Sequence, residues 1–284
     1  MFIFPGQGSQ YRGMGTDLIK KSDSVKELYN QASSVLGYDI AELSFKDAKD
    51  EINLTKYTQP VLMTHQIACF KYFSEVASCD ISPMLLAGHS LGEYTALVGS
   101  EAAANIIDQS NCEIATVNQL KQTVVGGSDM DIQKLEEILK SEFPKKRTVK
   151  LKTEGAFHTS LMNKAAEEFK EHLSQITFKE MNAPVLSNFS SEMHKIDGSD
   201  TAELLYNQLF KPVDWLGCMQ TAANMKVDCV IEFGGGLGDG SEPNEKRPNL
   251  EGITKKNFRA FQNEATYFPA INTSTIEDTA KIVS

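Results

Sequence analysis

Gly88-His89-Ser90-Leu91-Gly92 sets a serine between two glycines at the G-x-S-x-G spacing of an activated nucleophile. The chemistry open to such a serine is covalent: its hydroxyl attacks a carbonyl, holds the acyl group as an ester and hands it to a second nucleophile. Flanking glycines permit a tight strand-to-helix turn, and the start of the following helix offers backbone N–H groups to a developing oxyanion. The same five-residue pattern also arises in ordinary Gly-rich turns, so its meaning depends on the elements around it.

A serine at its free pKa needs a base. The chain has five histidines: His65, His89, His158, His172 and His194. His89 adjoins the serine, and neighbours on a sharp turn point apart. His65 and His172 lie in helical patterns, and His194 sits in a polar, turn-like stretch. His158 follows Glu154-Gly155-Ala156-Phe157, between a strand and a helix, where a ring is presented to a cleft. On these grounds alone His158 reads equally well as a general base and as an ordinary core or surface histidine.

The elements that must position these groups alternate. Residues 2–5 form a short strand ending in the Gly-rich turn Gly6-Gln7-Gly8, and residues 22–36 carry apolar residues at helical spacing. A helix over 61–76 follows Pro60, placed near its first turn. Residues 83–88 read as a buried parallel strand leading through Ser90 into a helix at 94–98, the setting a nucleophile turn requires. The middle differs: 113–117, 123–125 and 147–151 are strand-like, with an amphipathic helix between the last two. Beyond His158 come helices around 161–173, 201–210 and 213–225 and strands at 184–187 and 229–233, the last running into Gly234-Gly235-Gly236. The polar stretch 239–249 reads as an exposed loop.

The expected fold is α/β: a hydrolase-like large part with a mainly parallel sheet (1–110 and 153–284) and an inserted, ferredoxin-like small part (111–152), with the site in the cleft between them. With 284 residues, 41% hydrophobic and 23% charged, the composition is that of an ordinary globular protein. No apolar run approaches the ~20 residues that cross a bilayer. The N-terminal segment reads as a strand rather than a signal peptide. Five dispersed cysteines suit reduced thiols in the cytoplasm, and a net charge of −10 disfavours nucleic acid.

Four stretches then occur in order: Phe4-Pro5-Gly6-Gln7-Gly8-Ser9-Gln10 with Gly13-Met14-Gly15; Thr58-Gln59-Pro60; Gly88-His89-Ser90-Leu91-Gly92-Glu93-Tyr94; and Ala156-Phe157-His158-Thr159-Ser160-Leu161-Met162. Together with the stretches 184–188 and 208–215 they resemble the malonyl-CoA:acyl-carrier-protein transacylases, including the free-standing acyltransferases that serve modular polyketide synthases. Phe157-His158-Thr159 is more similar to the polyketide-associated branch. The resemblance implies Ser90 as nucleophile and His158 as base, with the N–H groups of Gln7 and Leu91 as oxyanion hole. It implies Asn188, Gly234, Gly235 and His89 as binding or supporting residues, with a main-chain carbonyl of the 233–236 loop steadying the histidine. Glu93 reads as a residue favourable to the helix start, and Tyr94 as packing. The reaction implied is ping-pong transfer of malonyl from malonyl-CoA to a carrier protein's phosphopantetheine thiol, by a monomer needing neither metal nor redox cofactor. Candidate carrier contacts are Lys145-Lys146-Arg147 with Lys150 and Lys152, and Lys255-Lys256 with Arg259, each equally readable as a solvated face.

The chain departs from that pattern twice. After Gly99-Ser100 it lacks roughly forty residues, by typical element sizes, which would hold the small part's first strand and the arginine that pairs with malonate. Its four arginines (Arg12, Arg147, Arg247 and Arg259) stand elsewhere. Three explanations compete: the sequence as given omits a stretch, which the abrupt seam at Gly99–Glu101 favours, the enzyme is truncated, or it handles neutral acyl groups. Hydrolysis of acyl carriers suits the loss of the arginine; an inert carrier-binding scaffold is a further reading, disfavoured by the joint presence of Ser90, His158 and Gln7. The second departure is the 239–249 insertion beside the presumed histidine-supporting loop. A generic α/β-hydrolase places its histidine last, after the acid, and here none follows His194.

Overall fold

The computed structural model describes residues 1–79, 81–99, 113–120, 122–142, 149–151 and 153–284. Among them are seven strands: β1 (Phe2–Phe4), β2 (Leu86–Gly88), β3 (Glu113–Gln119), β4 (Gln122–Gly126), β5 (Val185–Leu186), β6 (Cys229–Phe233) and β7 (Thr266–Ala270). The helices are α1 (Asp23–Leu36), α2 (Ile40–Phe45), α3 (Thr55–Val76), α4 (Leu91–Gly99), α5 (Asp129–Glu142), α6 (Asn163–Leu173), α7 (Thr201–Phe210), α8 (Trp215–Asn224), α9 (Glu251–Ala260) and α10 (Thr273–Val283). None of the described helices is long and apolar enough to cross a membrane.

Five strands form a parallel sheet in the order β5-β2-β1-β6-β7. The central strand is apolar on both faces, as a strand covered by helices on either side must be. Phe2 and Phe4 face one way, into an aromatic cluster with Phe233 and the α3 residues Phe70 and Phe73 at ring separations of 5.0–6.0 Å, Phe4 stacked on Phe233 and the other pairs edge-to-face. Ile3 faces the other way, into a second cluster with Leu85, Ala87, Trp215, Met219 and Val230. The register Phe2↔Leu86 and Phe4↔Gly88 brings the carboxyl ends of β1 and β2 to one edge, and the residues following them are Pro5 and His89. The strand order reverses at β1, where open α/β sheets place their ligands.

The middle of the chain contributes an antiparallel pair, β3–β4, and α5. Bonds from Val117 N–H to the Val213 carbonyl (2.8 Å) and from Val213 N–H to the Ala115 carbonyl (2.9 Å) fasten it to the approach to α8. Two local expectations change. The helix expected from 61 starts at Thr55, with Pro60 inside it. Residues 149–151 form no strand, while 147–148 lie outside the described residues, as does the stretch after Ser100. The segments forming α2, α9, β7 and α10 had drawn no expectation.

Candidate active site

Ser90 sits on the turn between β2 and α4 with φ +54°, a left-handed conformation strained for a non-glycine residue. The glycines on either side are there for space. A Cβ at Gly88 would lie 1.8 Å from the Gly92 carbonyl, and one at Gly92 would lie 2.0 Å from the Phe4 carbonyl. Asn188, just past β5, clamps the turn: its Nδ2 donates to the Gly88 carbonyl (2.6 Å) and its Oδ1 accepts the Ser90 N–H (2.6 Å). That bond occupies the Ser90 N–H. The next one, on Leu91, belongs to the first residue of α4 and is one of the donors that helix geometry leaves free.

His158 Nε2 lies 2.7 Å from Ser90 Oγ, and its Nδ1 lies 2.7 Å from the Gln208 carbonyl. A carbonyl can only accept, so Nδ1 carries the proton and Nε2 presents its lone pair to the hydroxyl. The ring is 6% exposed, and burial lowers its pKa to about 4; the Gln208 carbonyl opposes that shift and nearby His89 adds to it. At neutral pH the imidazole is therefore uncharged and free to take the serine proton. His158 also has φ +63°, and its N–H donates to the Leu209 carbonyl at 3.2 Å.

The carbonyl that steadies His158 thus comes from the end of α7, correcting the expectation that it lies in 233–236. Gly234 and Gly235, at φ +72° and +69°, do different work. A Cβ on Gly234 would meet the Gln66 backbone at 2.8 Å, and one on Gly235 would meet Ser9 and Pro5 at 2.7–2.8 Å. They let this loop close on the segment that carries Gln7, which Gln66 also holds through the Pro5 carbonyl (2.7 Å). The Gln7 side chain donates to Thr55 Oγ1 at 3.1 Å, and the Thr55 N–H donates to the Glu154 carboxylate, four residues before His158. His89 turns away from the serine: Nε2 lies 2.7 Å from Asn118 Oδ1 and the ring packs edge-on against Trp215.

Two groups beneath the pair, Glu93 and His194, do more than the helix-start residue and turn histidine their sequence suggests. Glu93 is completely buried, with Oε1 2.9 Å from His194 Nε2 and Oε2 accepting the Asn188 N–H (2.9 Å) and the Gln208 amide (3.2 Å). Glu93 and His194 are a hundred residues apart, and nothing in a Gly-Glu pair at a helix start says that its carboxylate turns inward. Tyr94 does more than pack, since its hydroxyl donates to Gln208 Oε1 at 3.2 Å.

No described arginine reaches this site. Arg12 pairs with Asp50 at 3.6 Å, Arg247 is in a backbone bridge with Leu237, Arg259 is exposed on α9, and Arg147 lies outside the described residues. The 239–249 insertion folds back through that bridge. Its Lys246 Nζ caps the Gly238 carbonyl (2.8 Å) and lies 4.8 Å above the Tyr11 ring. With residues 10–20 and 45–53 it lines a cavity of about 680 Å³ that does not include Ser90 or His158. The insertion therefore borders the loop after β1, not the support of His158.

The model of the acyl transferase domain family matches residues 1–106. The chain is 31% identical to the malonyl CoA-acyl carrier protein transacylase of Bacillus subtilis, over 83% of this chain and 86% of that protein. It is 30% identical to the polyketide biosynthesis malonyl CoA-acyl carrier protein transacylase PksC of the same organism, over 75% of this chain and 85% of that one. Among solved structures, MCAT from Streptococcus pneumoniae superposes with a TM-score of 0.83 at 26% identity, covering 99% of both chains. PlMCAT, solved with the type II PKS acyl-carrier protein AntF, superposes with a TM-score of 0.84 at 25% identity, covering 99% of this chain and 98% of that one. By these relations the chain belongs to the malonyl CoA-acyl carrier protein transacylase family.

Proposed function

We propose that this protein moves a malonyl group from malonyl-CoA to the phosphopantetheine thiol of an acyl carrier protein, with Ser90 as nucleophile and His158 as base. The observation that carries the reading is the 2.7 Å contact between Ser90 Oγ and the unprotonated Nε2 of a buried, carbonyl-held His158. In this reaction Ser90 Oγ gives its proton to Nε2 and attacks the thioester carbonyl. The oxyanion rests on the N–H groups of Gln7 and Leu91. The C–S bond then breaks, and CoA leaves as its thiol with the proton from His158. The carrier thiol repeats the sequence in reverse on the Ser90 ester.

No metal or redox group is needed for these steps. Nucleophile, base and oxyanion donors all come from one chain, which fits a monomer, and a cytoplasmic location suits a protein that meets acyl-CoA with its described cysteines as free thiols. The exposed Lys256 and Arg259 of α9 are a docking face for an acidic carrier; Lys150 is already paired with Asp129 at 3.2 Å. The lack of a described arginine at the site favours a second reading, in which water replaces the carrier thiol.

The test supplies malonyl-CoA with and without holo carrier protein, and follows CoA release and carrier mass. Transfer predicts malonyl-carrier formed at the rate CoA appears, with little CoA released when the carrier is absent. CoA release at equal rates with and without carrier, the carrier staying unloaded, means hydrolysis.

A further inference from the structure

The Glu93 carboxylate accepts three hydrogen bonds in a fully buried site. Oε2 takes the N–H of Asn188 (2.9 Å) and the side-chain amide of Gln208 (3.2 Å), and Oε1 takes Nε2 of His194 (2.9 Å). The Glu93 and His194 side chains are both completely shut off from solvent. The first two donors each have a second engagement, and both lead to the reacting pair. Asn188 holds the Ser90 N–H through its Oδ1, at 2.6 Å. Gln208 holds His158 Nδ1 through its carbonyl, at 2.7 Å, and its amide also donates to the Ser90 carbonyl, at 3.0 Å.

We propose that Glu93, braced by His194, is the positioning residue that sets Ser90 and His158 at their reacting separation. It sits where four distant segments meet: the turn after β2, the end of β5, the last turn of α7 and the bend that carries His194. A carboxylate suits this point because its two oxygens offer about four lone-pair sites and no proton of their own. A neutral residue of the same size supplies fewer acceptors. An aliphatic one leaves the Asn188 N–H, the Gln208 amide and the His194 ring without a partner in a buried interior, where such groups move to find one. Their movement carries the Ser90 turn and the Gln208 carbonyl with it.

The inference rests on the reading of Ser90 and His158 as nucleophile and base, and its test separates the two. Phenylmethylsulfonyl fluoride reads the nucleophile without any acyl donor: a bond forms from Ser90 Oγ to sulfur, fluoride leaves, and the serine proton passes to His158. The rate is followed by intact mass in the wild type, Ser90→Ala, Glu93→Gln and Glu93→Ala, with malonyl transfer kinetics and circular dichroism measured alongside. A misplaced nucleophile–base pair loses roughly tenfold to a hundredfold in rate. Glu93→Ala is therefore expected to label at least about tenfold more slowly, with a matching fall in kcat and KM for malonyl-CoA changed by less than about twofold. Glu93→Gln recovers most of the rate, because its carbonyl oxygen still accepts from Asn188 and Gln208. If Glu93→Ala does not fold, Gln208→Met carries the test, as it removes the amide and keeps the backbone carbonyl; the same slowing is expected.

A folded Glu93→Ala, or a folded Gln208→Met in its place, that labels at the wild-type rate overturns the proposal. So does a wild type that fails to label at Ser90, since there is then no activated pair to position. A wild type that labels at Ser90 but transfers no malonyl removes the acyl-transfer reading and leaves the role of Glu93 standing on the labelling rates.

Discussion

His158 draws its reactivity from being buried and neutral, and that fixes a pH signature. Its folded pKa of about 4 lies below the ordinary 6.5, so the free base persists well into acid. The acid limb of kcat/KM, which reports the free protein, is expected near pH 4 with a flat profile through 5–7; a limb near 6.5 means the ring is solvated and the geometry misread. The same shift acts on stability. Between 6.5 and 4 the unfolded chain binds a proton that the folded chain refuses, so His158 contributes stability above pH 6.5 that is lost as pH falls towards 4. Asn188 carries the second prediction at this scale. Replacing it with Ala unpairs the Ser90 N–H and the Gly88 carbonyl, and roughly 1–3 kcal/mol of turn stability goes with them. Transfer assays should then show kcat falling about tenfold or more while KM holds; an unchanged kcat removes Asn188 from the site. Ser90 and His158 were legible because their motifs are local. Gln208 and Glu93 were not, because a backbone carbonyl and an inward-turned carboxylate act through contacts about 50 and 100 residues away along the chain.

At the scale of elements, the nucleophile turn depends on α4 starting hard against β1. Gly92→Ala pushes a methyl to 2.0 Å from the Phe4 carbonyl and is expected to cost roughly 1–3 kcal/mol in urea unfolding. Gly252 in α9 has no atom within 4 Å of a built Cβ, so Gly252→Ala should leave stability unchanged or raise it by up to about 1 kcal/mol. Equal losses at the two sites contradict this account of the turn. Glu232 makes a third case. Buried on β6, it accepts the N–H groups of Asn249 and Leu250 and the Tyr267 hydroxyl, and so fastens the start of α9 to the sheet. Burial raises its pKa from 4.5 to about 7, so the unfolded chain loses its proton first. Its contribution is present below pH 4.5 and is lost as pH rises to 7. The stability of Glu232→Gln relative to wild type should therefore climb between pH 4.5 and 7 and level off above; a flat difference contradicts the shift. Strands and helices with clean periodicity were readable, 201–210 and 229–233 among them. Strand β7 was not: Pro269 argues against a strand in sequence, and the fold tolerates it because β7 is an edge, where a missing N–H breaks no ladder. Helix α3 outran its expected start because Pro60, its sixth residue, stands past the first turn, and the helix runs through it although the bond to the Lys56 carbonyl is lost.

The whole molecule brings together what no single element holds. The parallel sheet gathers the ends of β1, β2 and β5 at one edge; α7 and the loop after β6 close over it, and the middle of the chain docks through Val117 and Val213. Its α/β class was readable from the alternation of strand and helix, and the reaction from four motifs in order. The way the pieces hold one another was not, because the bonds that do it join residues far apart in the chain. Acyl selectivity belongs to this scale too, since none of the described arginines reaches Ser90 and His158. The central claim is that Ser90 carries a malonyl ester. Intact mass spectrometry after brief incubation with malonyl-CoA, and separately with acetyl-CoA, tests it in wild type and Ser90→Ala. The account predicts a malonyl adduct on the wild type that disappears in Ser90→Ala, with little or no acetyl adduct. An acetyl adduct without a malonyl one, or a malonyl adduct that survives Ser90→Ala, would contradict it.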